Sequence, residues 1–209
     1  FRHLSKGRSS SRGVPFRGER VLVVGLVLAS AALPASASCW ARSWLRAKRR
    51  ASTSSRVDTF LLPDSLQAAE YNAESPAGFG YTERLAAVFA QLPVMQRFKA
   101  AFDAEAYPLS EAMLDALMAS YREWGGTAQP PTIGIVDWRT VPTWSEFEIL
   151  QERFTALGVP TIVCAPEDLE FDGGELRGTG RKIDLLYRRV LINDMTAHPA
   201  ECEAIVRAC

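Results

Sequence analysis

The chain has 209 residues, of which 47% are hydrophobic and 23% charged, so it is long enough to bury a core. These proportions exclude a disordered tail, a collagen-like fibre and a disulfide scaffold. The formal net charge of zero is the sum of two unlike parts. Residues 1–57 carry twelve basic residues and one acid, whereas residues 58–209 carry twelve basic residues and 23 acids.

Residues 1–55 are predicted to be a basic leader, either signal-like or disordered. A basic stretch ends at Arg20, the apolar run Val21–Pro34 follows, and Ala35-Ser36-Ala37 offers a cleavage site. This order is typical of a secretory signal, and the run is shorter than the roughly 20 apolar residues of a membrane span. The Ser- and Arg-rich stretch at 42–56 fits a transit peptide or translated non-coding sequence equally well.

The chain opens with Phe1 rather than Met, so we expect its natural start to lie upstream. We expect a cytoplasmic protein, or a secreted or organellar one if the leader at 1–37 acts as a signal. Basic residues after the leader are scattered and outnumbered by acids, which predicts no nucleic-acid partner. We also expect no stable membrane insertion. The sequence indicates no particular oligomeric state.

The four cysteines form no C-x-x-C pair, and neither histidine stands at metal-ligand spacing. Cys164 and Cys202 are therefore predicted to be small core residues. His198 directly precedes Pro199, which predicts the start of a helix rather than a catalytic base. A zinc site and a catalytic triad are not expected.

Two short strands are predicted over Arg56–Glu70, with Pro63-Asp64-Ser65 as the turn between them. A helix is predicted after Gly80, with Thr82 as its N-cap. Its apolar residues at helical spacing are Leu85, Val88, Phe89 and Leu92. Pro93 ends or kinks this helix, and the pattern continues over residues 94–102.

A second helix is predicted from Ser110, its N-cap, to Trp124, where Gly125-Gly126 ends it. Its predicted buried residues are Met113, Leu114, Leu117 and Tyr121. A β-branched apolar run, Thr132–Asp137, then predicts a buried parallel strand.

A capping box at Thr143-Trp144-Ser145-Glu146 predicts the next helix, in which the Thr143 hydroxyl and Glu146 carboxylate bind amides of the first turn. This helix is expected to end at Gly158 and to carry Phe147, Leu150, Phe154 and Leu157 on one face. The strand Pro160–Cys164 completes a βαβ unit, which implies a right-handed crossover on a parallel sheet. The sequence therefore predicts an α/β fold, with this unit at about 130–190.

The remaining chain is predicted to form a hairpin tip at Phe171–Leu176, a strand at Ile183–Val190 and a helix from about Pro199. Because the chain stops at Cys209 inside that helix, we expect that it is cut short. Three nucleotide and hydrolase motifs, G-x-G-x-x-G, G-x-x-x-x-G-K-[ST] and G-x-S-x-G, do not occur.

Glu70 and Asn72 form the first candidate site. On one strand they share a face, about 6.6 Å apart along it. A carboxylate and an amide carbonyl so placed could bind Mg²⁺, which commonly takes one or two protein oxygens. The loop Glu74-Ser75-Pro76-Ala77-Gly78 could hold a substrate carboxylate through its hydroxyl and amides. The alternative is that Glu70 and Asn72 are the solvent face of an edge strand.

Arg188 and Arg189 form the second candidate, at the end of a buried strand. Consecutive strand residues point to opposite faces, so one arginine can enter a cleft and grip a carboxylate or phosphate. The alternative is a surface pair bridged to Asp or Glu. The third candidate is the loop Asp137–Thr143, which could bind an anion at a helix start or simply pack through Trp138 and Trp144.

Four stretches carry a family resemblance: Arg56-Val57-Asp58, E-Y-N-A-E-S-P-A-G at 70–78, I-V-D-W-R at 135–139 and I-D-L-L-Y-R-R-V at 183–190. Together they resemble the front part of circularly permuted ATP-grasp proteins, a group related to glutathionylspermidine synthase and eukaryotic-type glutathione synthetase. The resemblance spans 56–209, and the 70–78 stretch is its most specific part. It implies a pre-ATP-grasp, Rossmann-like parallel sheet with flanking helices in an incomplete ATP-grasp fold.

By this resemblance, Glu70 and Asn72 bind Mg²⁺ that bridges the phosphates of ATP. Arg56, Ser75 and Arg188 or Arg189 would contact the substrate. The parent would be an ATP-dependent carboxylate–amine ligase that activates an acid as an acyl phosphate, with small carboxylate and amine substrates.

Most of the ATP-binding module would lie downstream of the chain, so we expect the fragment alone to be inactive. Two alternatives are a non-catalytic recognition or interaction module of Rossmann-like fold, and a parent that keeps the ligase fold without activity.

Overall fold

The computed structural model describes residues 53–208 of the chain. The predicted leader lies almost wholly outside the described residues, as does Cys209. The strands are β1 (Arg56–Leu61), β2 (Leu66–Asn72), β3 (Ile133–Val136), β4 (Thr161–Cys164), β5 (Leu169–Asp172), β6 (Glu175–Gly178), β7 (Arg181–Ile183) and β8 (Leu185–Arg188). The helices are α1 (Phe79–Ala90), α2 (Pro93–Ala101), α3 (Leu109–Trp124), α4 (Trp144–Ala156), α5 (Ile192–Ala197) and α6 (Glu203–Ala208).

A parallel sheet of strand order β4-β3-β8 lies at the centre of the fold. All four residues of β3 are buried, as the apolar run predicts for a strand covered on both faces. The chain crosses from β3 through α4 to β4 on one side, and later returns to β8 on the other side. The described part of the chain is therefore a mixed α/β structure with a parallel sheet, as the sequence predicts.

Two hydrophobic clusters cover the two faces of this sheet. Helices α3 and α4 pack on one face, where Phe147, Leu150 and Phe154 are at most 1% exposed. The antiparallel sheet β5-β6-β7 and helices α5 and α6 contribute to the cluster on the other face. Cys164 and Cys202 lie in this second cluster as free thiols, which confirms their prediction as core residues. Burial raises the pKa of the Cys164 thiol to about 12, so it stays protonated.

The predicted strand at Ile183–Val190 is two strands that belong to different sheets. Strand β7 pairs antiparallel with β6, and β8 pairs parallel with β3. Asp184 separates them, because its carboxylate accepts the N–H of Thr132 at 2.9 Å while its own N–H bonds to the Thr132 carbonyl. A side chain that accepts a hydrogen bond from a backbone N–H in this way interrupts the pairing of a strand. The periodicity of the sequence alone does not show this interruption.

Several predicted helix ends are displaced. Helix α1 begins at Phe79, so Thr82 lies inside it, and α3 begins at Leu109, so Ser110 is a buried residue of its first turn. Leu157 lies just beyond α4 and is 40% exposed rather than part of its buried face. The helix expected from about Pro199 is α6, which begins at Glu203, and a further short helix that was not predicted, α5, precedes it and ends just before His198.

Helices α1 and α2 present an apolar face to the surface of the described part. Four residues with the spacing of a buried helical face, Leu85, Val88, Phe89 and Leu92, are 40–59% exposed. Helix α2 has no buried residue. No helix among residues 53–208 combines the length and the hydrophobicity that a membrane span requires.

Phe154→Ala tests the core between α4 and the sheet. Phe154 is fully buried, so we expect its truncation to lower the free energy of unfolding by about 3–5 kcal/mol. Leu157→Ala, three residues along at an exposed position, is the control and should change it by less than about 0.5 kcal/mol. Urea denaturation measures both, and equal losses would contradict this description of the core.

Candidate functional site

Four polar residues share one face of the β1–β2 hairpin. In the antiparallel register Arg56 lies opposite Asn72, and Asp58 lies opposite Glu70. Because strand residues two apart point to the same side, all four side chains project from one face. The hairpin agrees with the predicted pair of strands, and its turn closes with a bond from the Leu62 N–H to the Ser65 carbonyl.

Arg56 connects this face to the following loop. Its guanidinium forms a two-pronged ion pair with Asp58, with N···O distances of 2.8 and 2.9 Å, and donates to the Ala77 carbonyl at 3.0 Å. The hydrogen bond to Asp58 is the main cause that raises the pKa of Arg56, and the charges of Asp58, Glu70 and Glu146 also raise it. Four charged groups therefore lie close together at this end of the hairpin.

Glu70 and Asn72 offer hard oxygen donors on this face. The Glu70 side chain is exposed and makes no hydrogen bond to the described residues, whereas Asn72 is half-buried. The Asn72 side-chain nitrogen is buried without an acceptor, so no bond from that nitrogen holds the amide in one orientation. A turned amide would present its oxygen. The donor chemistry thus fits Mg²⁺, although residues 53–208 contain no group of three or more His, Cys, Asp or Glu side chains that could hold a metal.

The segment Glu74–Gly78, which we call the anchored loop, is held against the carboxyl end of β8. Glu74 accepts from Arg188 at 3.2 Å and from the Ile192 N–H at 2.9 Å. The Ser75 hydroxyl donates to the Arg188 carbonyl over a long 3.4 Å. Ser75 has φ of 48°, in the left-handed region that non-glycine residues rarely adopt. Such strain persists only where surrounding contacts impose it.

Arg189 lies beneath this loop and is 5% exposed. It donates to the Pro76 carbonyl at 2.6 Å and to the Tyr187 hydroxyl at 3.1 Å. The rings of Phe147 and Tyr187 lie 5.3 and 5.6 Å from its guanidinium carbon, a distance at which cation–π attraction stabilises a buried arginine. Arg189 is thus buried on the α4 side of the sheet, and Arg188 keeps 24% of its side chain exposed.

The predicted capping box requires Glu146 to cap its own helix, and Glu146 does not do so. The Thr143 side chain makes no cap bond, and the Glu146 carboxylate instead accepts the Gly78 N–H at 2.8 and 3.0 Å and the Gly80 N–H at 3.2 Å. Gly78 precedes α1 with φ of 112°, which favours glycine. A carboxylate 1% exposed therefore caps the start of a different helix, where the dipole favours negative charge.

These contacts engage most of the groups that the sequence offers to a substrate. The Gly78 amide binds Glu146, Arg189 binds the loop, and one Arg188 nitrogen binds Glu74 and the Val190 carbonyl. The structure brings Ser75, Arg188 and Arg189 together and links Arg56 to the same loop. Glu70 and Asn72 lie on the adjoining hairpin, so all six predicted site residues belong to one region.

Asp137 follows β3 at the carboxyl edge of the sheet and is 7% exposed. Its Oδ1 accepts the Trp138 N–H at 2.9 Å. Burial is the main cause that raises the pKa of this carboxyl, and the charge of Asp194 adds to it. The Trp138 bond and the charges of Arg189 and Arg188 oppose the shift without cancelling it.

The rest of the loop Asp137–Thr143 shows packing rather than an open anion site. Trp138 and Trp144 pack against the two hydrophobic clusters. Arg139 is tied to Asp168 by an ion pair of 2.5 Å.

The sequence analysis assigned no role in the site to Asp58, and it missed the true partners of Glu146. The alternation of β1 is the signal for Asp58, since it stands two residues after Arg56 and must share its face. No local signal indicates the reach of Glu146, because its partners lie 66 and 68 residues earlier in the chain. No family model matches the chain, and no curated protein is significantly similar to it.

Glu146→Gln tests the link between helix α4 and the anchored loop. The change removes the negative charge and one acceptor from two backbone amides, so we expect a loss of about 1–3 kcal/mol in the free energy of unfolding. Hydrogen exchange at the Gly78 and Gly80 amides should accelerate in parallel. Glu148→Gln, at an exposed position of the same helix, should change neither, and unchanged exchange in Glu146→Gln would contradict the link.

Asp137→Asn should stabilise the protein at neutral pH. Folding raises the pKa of this carboxyl, so the ionised form favours the unfolded state, and stability falls as pH rises from the ordinary pKa of 3.8 through the raised one. The gain in the variant should therefore be complete above the raised pKa and disappear as pH falls toward 3.8. Urea midpoints measured across pH 4–8 check this, and a variant less stable than the parent at pH 7 would refute it.

Proposed function

We propose that this chain is the front part of an ATP-dependent carboxylate–amine ligase of the circularly permuted ATP-grasp type. The observation that carries the proposal is the shared hairpin face of Arg56, Asp58, Glu70 and Asn72, with the anchored loop held beside it. This arrangement supports the resemblance on its most specific stretch. The Rossmann-like, pre-ATP-grasp identity of the parallel sheet is part of the same proposal.

Glu70 and Asn72 are the proposed Mg²⁺ ligands, and Asp58 adds a further oxygen on the same face. Bound Mg²⁺ would offset the phosphate charge of ATP, and it would keep some positions for water and phosphate oxygens. Arg56 holds Asp58 in place through their ion pair. The resemblance places most of the remaining ATP contacts downstream of residue 209.

Ser75, Arg56 and the two strand-end arginines are proposed to orient the carboxylate substrate. Arg188 suits direct contact, because its side chain is partly exposed and only one of its nitrogens bonds to the described residues. Arg189 is buried and donates to the loop backbone, so its contribution is to hold Ser75 and its neighbours in place. The strained backbone of Ser75 is consistent with a loop shaped for a ligand.

A non-catalytic recognition module is the second candidate. It is favoured by the fact that Arg189, Glu146 and Glu74 make their hydrogen bonds inside the protein. On this view the anchored loop serves only to fasten the hairpin, and the polar face of the hairpin contacts a partner without chemistry.

Metal titration of the 209-residue chain distinguishes these candidates. Mn²⁺, as a paramagnetic substitute for Mg²⁺, should bind and enhance water-proton relaxation, and Glu70→Gln should weaken binding roughly tenfold or more, since it removes a charged ligand. Glu170→Gln, an exposed glutamate of β5, is the control and should bind as the parent does. Equal Mn²⁺ affinity in parent and Glu70→Gln would reject the metal site and favour the recognition module.

A further inference from the structure

Asp137 is a buried carboxylate that the proposed metal and acid contacts do not use. The bond from the Trp138 N–H is the only hydrogen bond that the Asp137 carboxylate makes to the described residues. A charged group with a single neutral partner is costly to bury. An asparagine at this position could make the same bond without that cost, so the turn at the end of β3 does not explain the charge.

The second oxygen of Asp137 accepts no hydrogen bond from the described residues. It is not among the four unpartnered side-chain atoms of the described part that are fully buried, so it retains a small exposed surface through which a ligand could contact it. Arg188 and Arg189 are close enough to lower the pKa of Asp137, yet neither comes within 4.0 Å to form an ion pair with it. The Asp137 carboxylate therefore has no ion-pair partner among the described residues, and it is not completely enclosed by the protein.

The position of Asp137 in the fold is the usual place for a ligand. Strand β3 lies between β4 and β8: the chain passes from β3 to β4 on one side and later returns past β3 to pair β8 on the other. In open α/β sheets, ligands bind outside the carboxyl ends of strands at such a switch point. Asp137 is the first residue after β3 at that end, and the anchored loop is fastened to the neighbouring end of β8.

We propose that Asp137 binds the ammonium group of an amine ligand at the carboxyl edge of the parallel sheet. This inference rests on the proposed function, in which an amine is the second substrate. An ammonium group carries three N–H donors, and the second Asp137 oxygen can accept a charge-assisted hydrogen bond from one of them.

The test follows the Trp138 backbone amide by NMR in the 15N-labelled 209-residue chain at pH 8 and constant ionic strength. Because this N–H bonds to Asp137, its shift reports on the carboxylate. Propylammonium chloride should produce a saturable shift. Tetramethylammonium, which has the same charge and no N–H donor, should produce none.

Asp137→Asn should weaken propylammonium binding about tenfold or more, as expected for loss of one charge-assisted bond. Asp194→Asn removes a charge felt by Asp137 without removing the contact, and should change the affinity by less than about threefold. Because Asp137→Asn is also expected to be more stable than the parent at this pH, lost binding would not reflect unfolding.

Equal shifts with the two cations, or unchanged affinity in Asp137→Asn, would overturn the inference. Mn²⁺ titration of the same proteins separates this failure from that of the proposed function. Metal binding that depends on Glu70, without amine binding, would reject the Asp137 site alone. Amine binding that depends on Asp137, without metal binding, would support the site and reject the magnesium assignment.

Discussion

The Glu146 carboxylate is the contact on which the candidate site depends. It accepts hydrogen bonds from the backbone of Gly78 and Gly80 and so ties the start of α1 to the first turn of α4. Helix α4 is packed on the parallel sheet through fully buried phenylalanine side chains, which makes it a rigid support. The hairpin, by contrast, is a two-stranded element of a kind that is marginal in isolation. The position of the hairpin beside the sheet therefore depends on the buried Glu146 carboxylate.

Charge is used in two different ways at the carboxyl edge of the sheet. Arg189 is buried between aromatic rings and donates a hydrogen bond to the Pro76 carbonyl, so its charge has a structural role. Asp137 is buried nearby with one hydrogen bond to its carboxylate, and burial raises the pKa of that carboxyl. A carboxyl whose pKa is perturbed by burial beside charged neighbours is typical of functional sites, although structural networks also produce such shifts. Together these residues support a ligand site at this edge.

The sequence predicts the elements better than it predicts their connections. Apolar periodicity locates the βαβ unit and the buried residues of α3, because those signals depend only on neighbours in the chain. The prediction of a capping box at Thr143 is wrong, because the Glu146 carboxylate binds the distant Gly78 amide instead of an amide of its own helix. The prediction of one continuous strand at 183–190 is wrong, because the break depends on a hydrogen bond from the Thr132 N–H to the Asp184 carboxylate. Of the site, the sequence indicates the residue types and the shared strand face, but not the buried anchor.

The anchors of the loop also determine when the site can form. Each bond that fastens Glu74, Pro76 and Gly78 joins residues separated by 68 to 118 positions along the chain. Contacts across such distances carry a large closure entropy and are made late, after shorter-range structure has reduced the search. We therefore expect the parallel sheet and α4 to form before the hairpin docks. Nascent chain leaving the ribosome would release its candidate ligands, near position 70, long before it could assemble them.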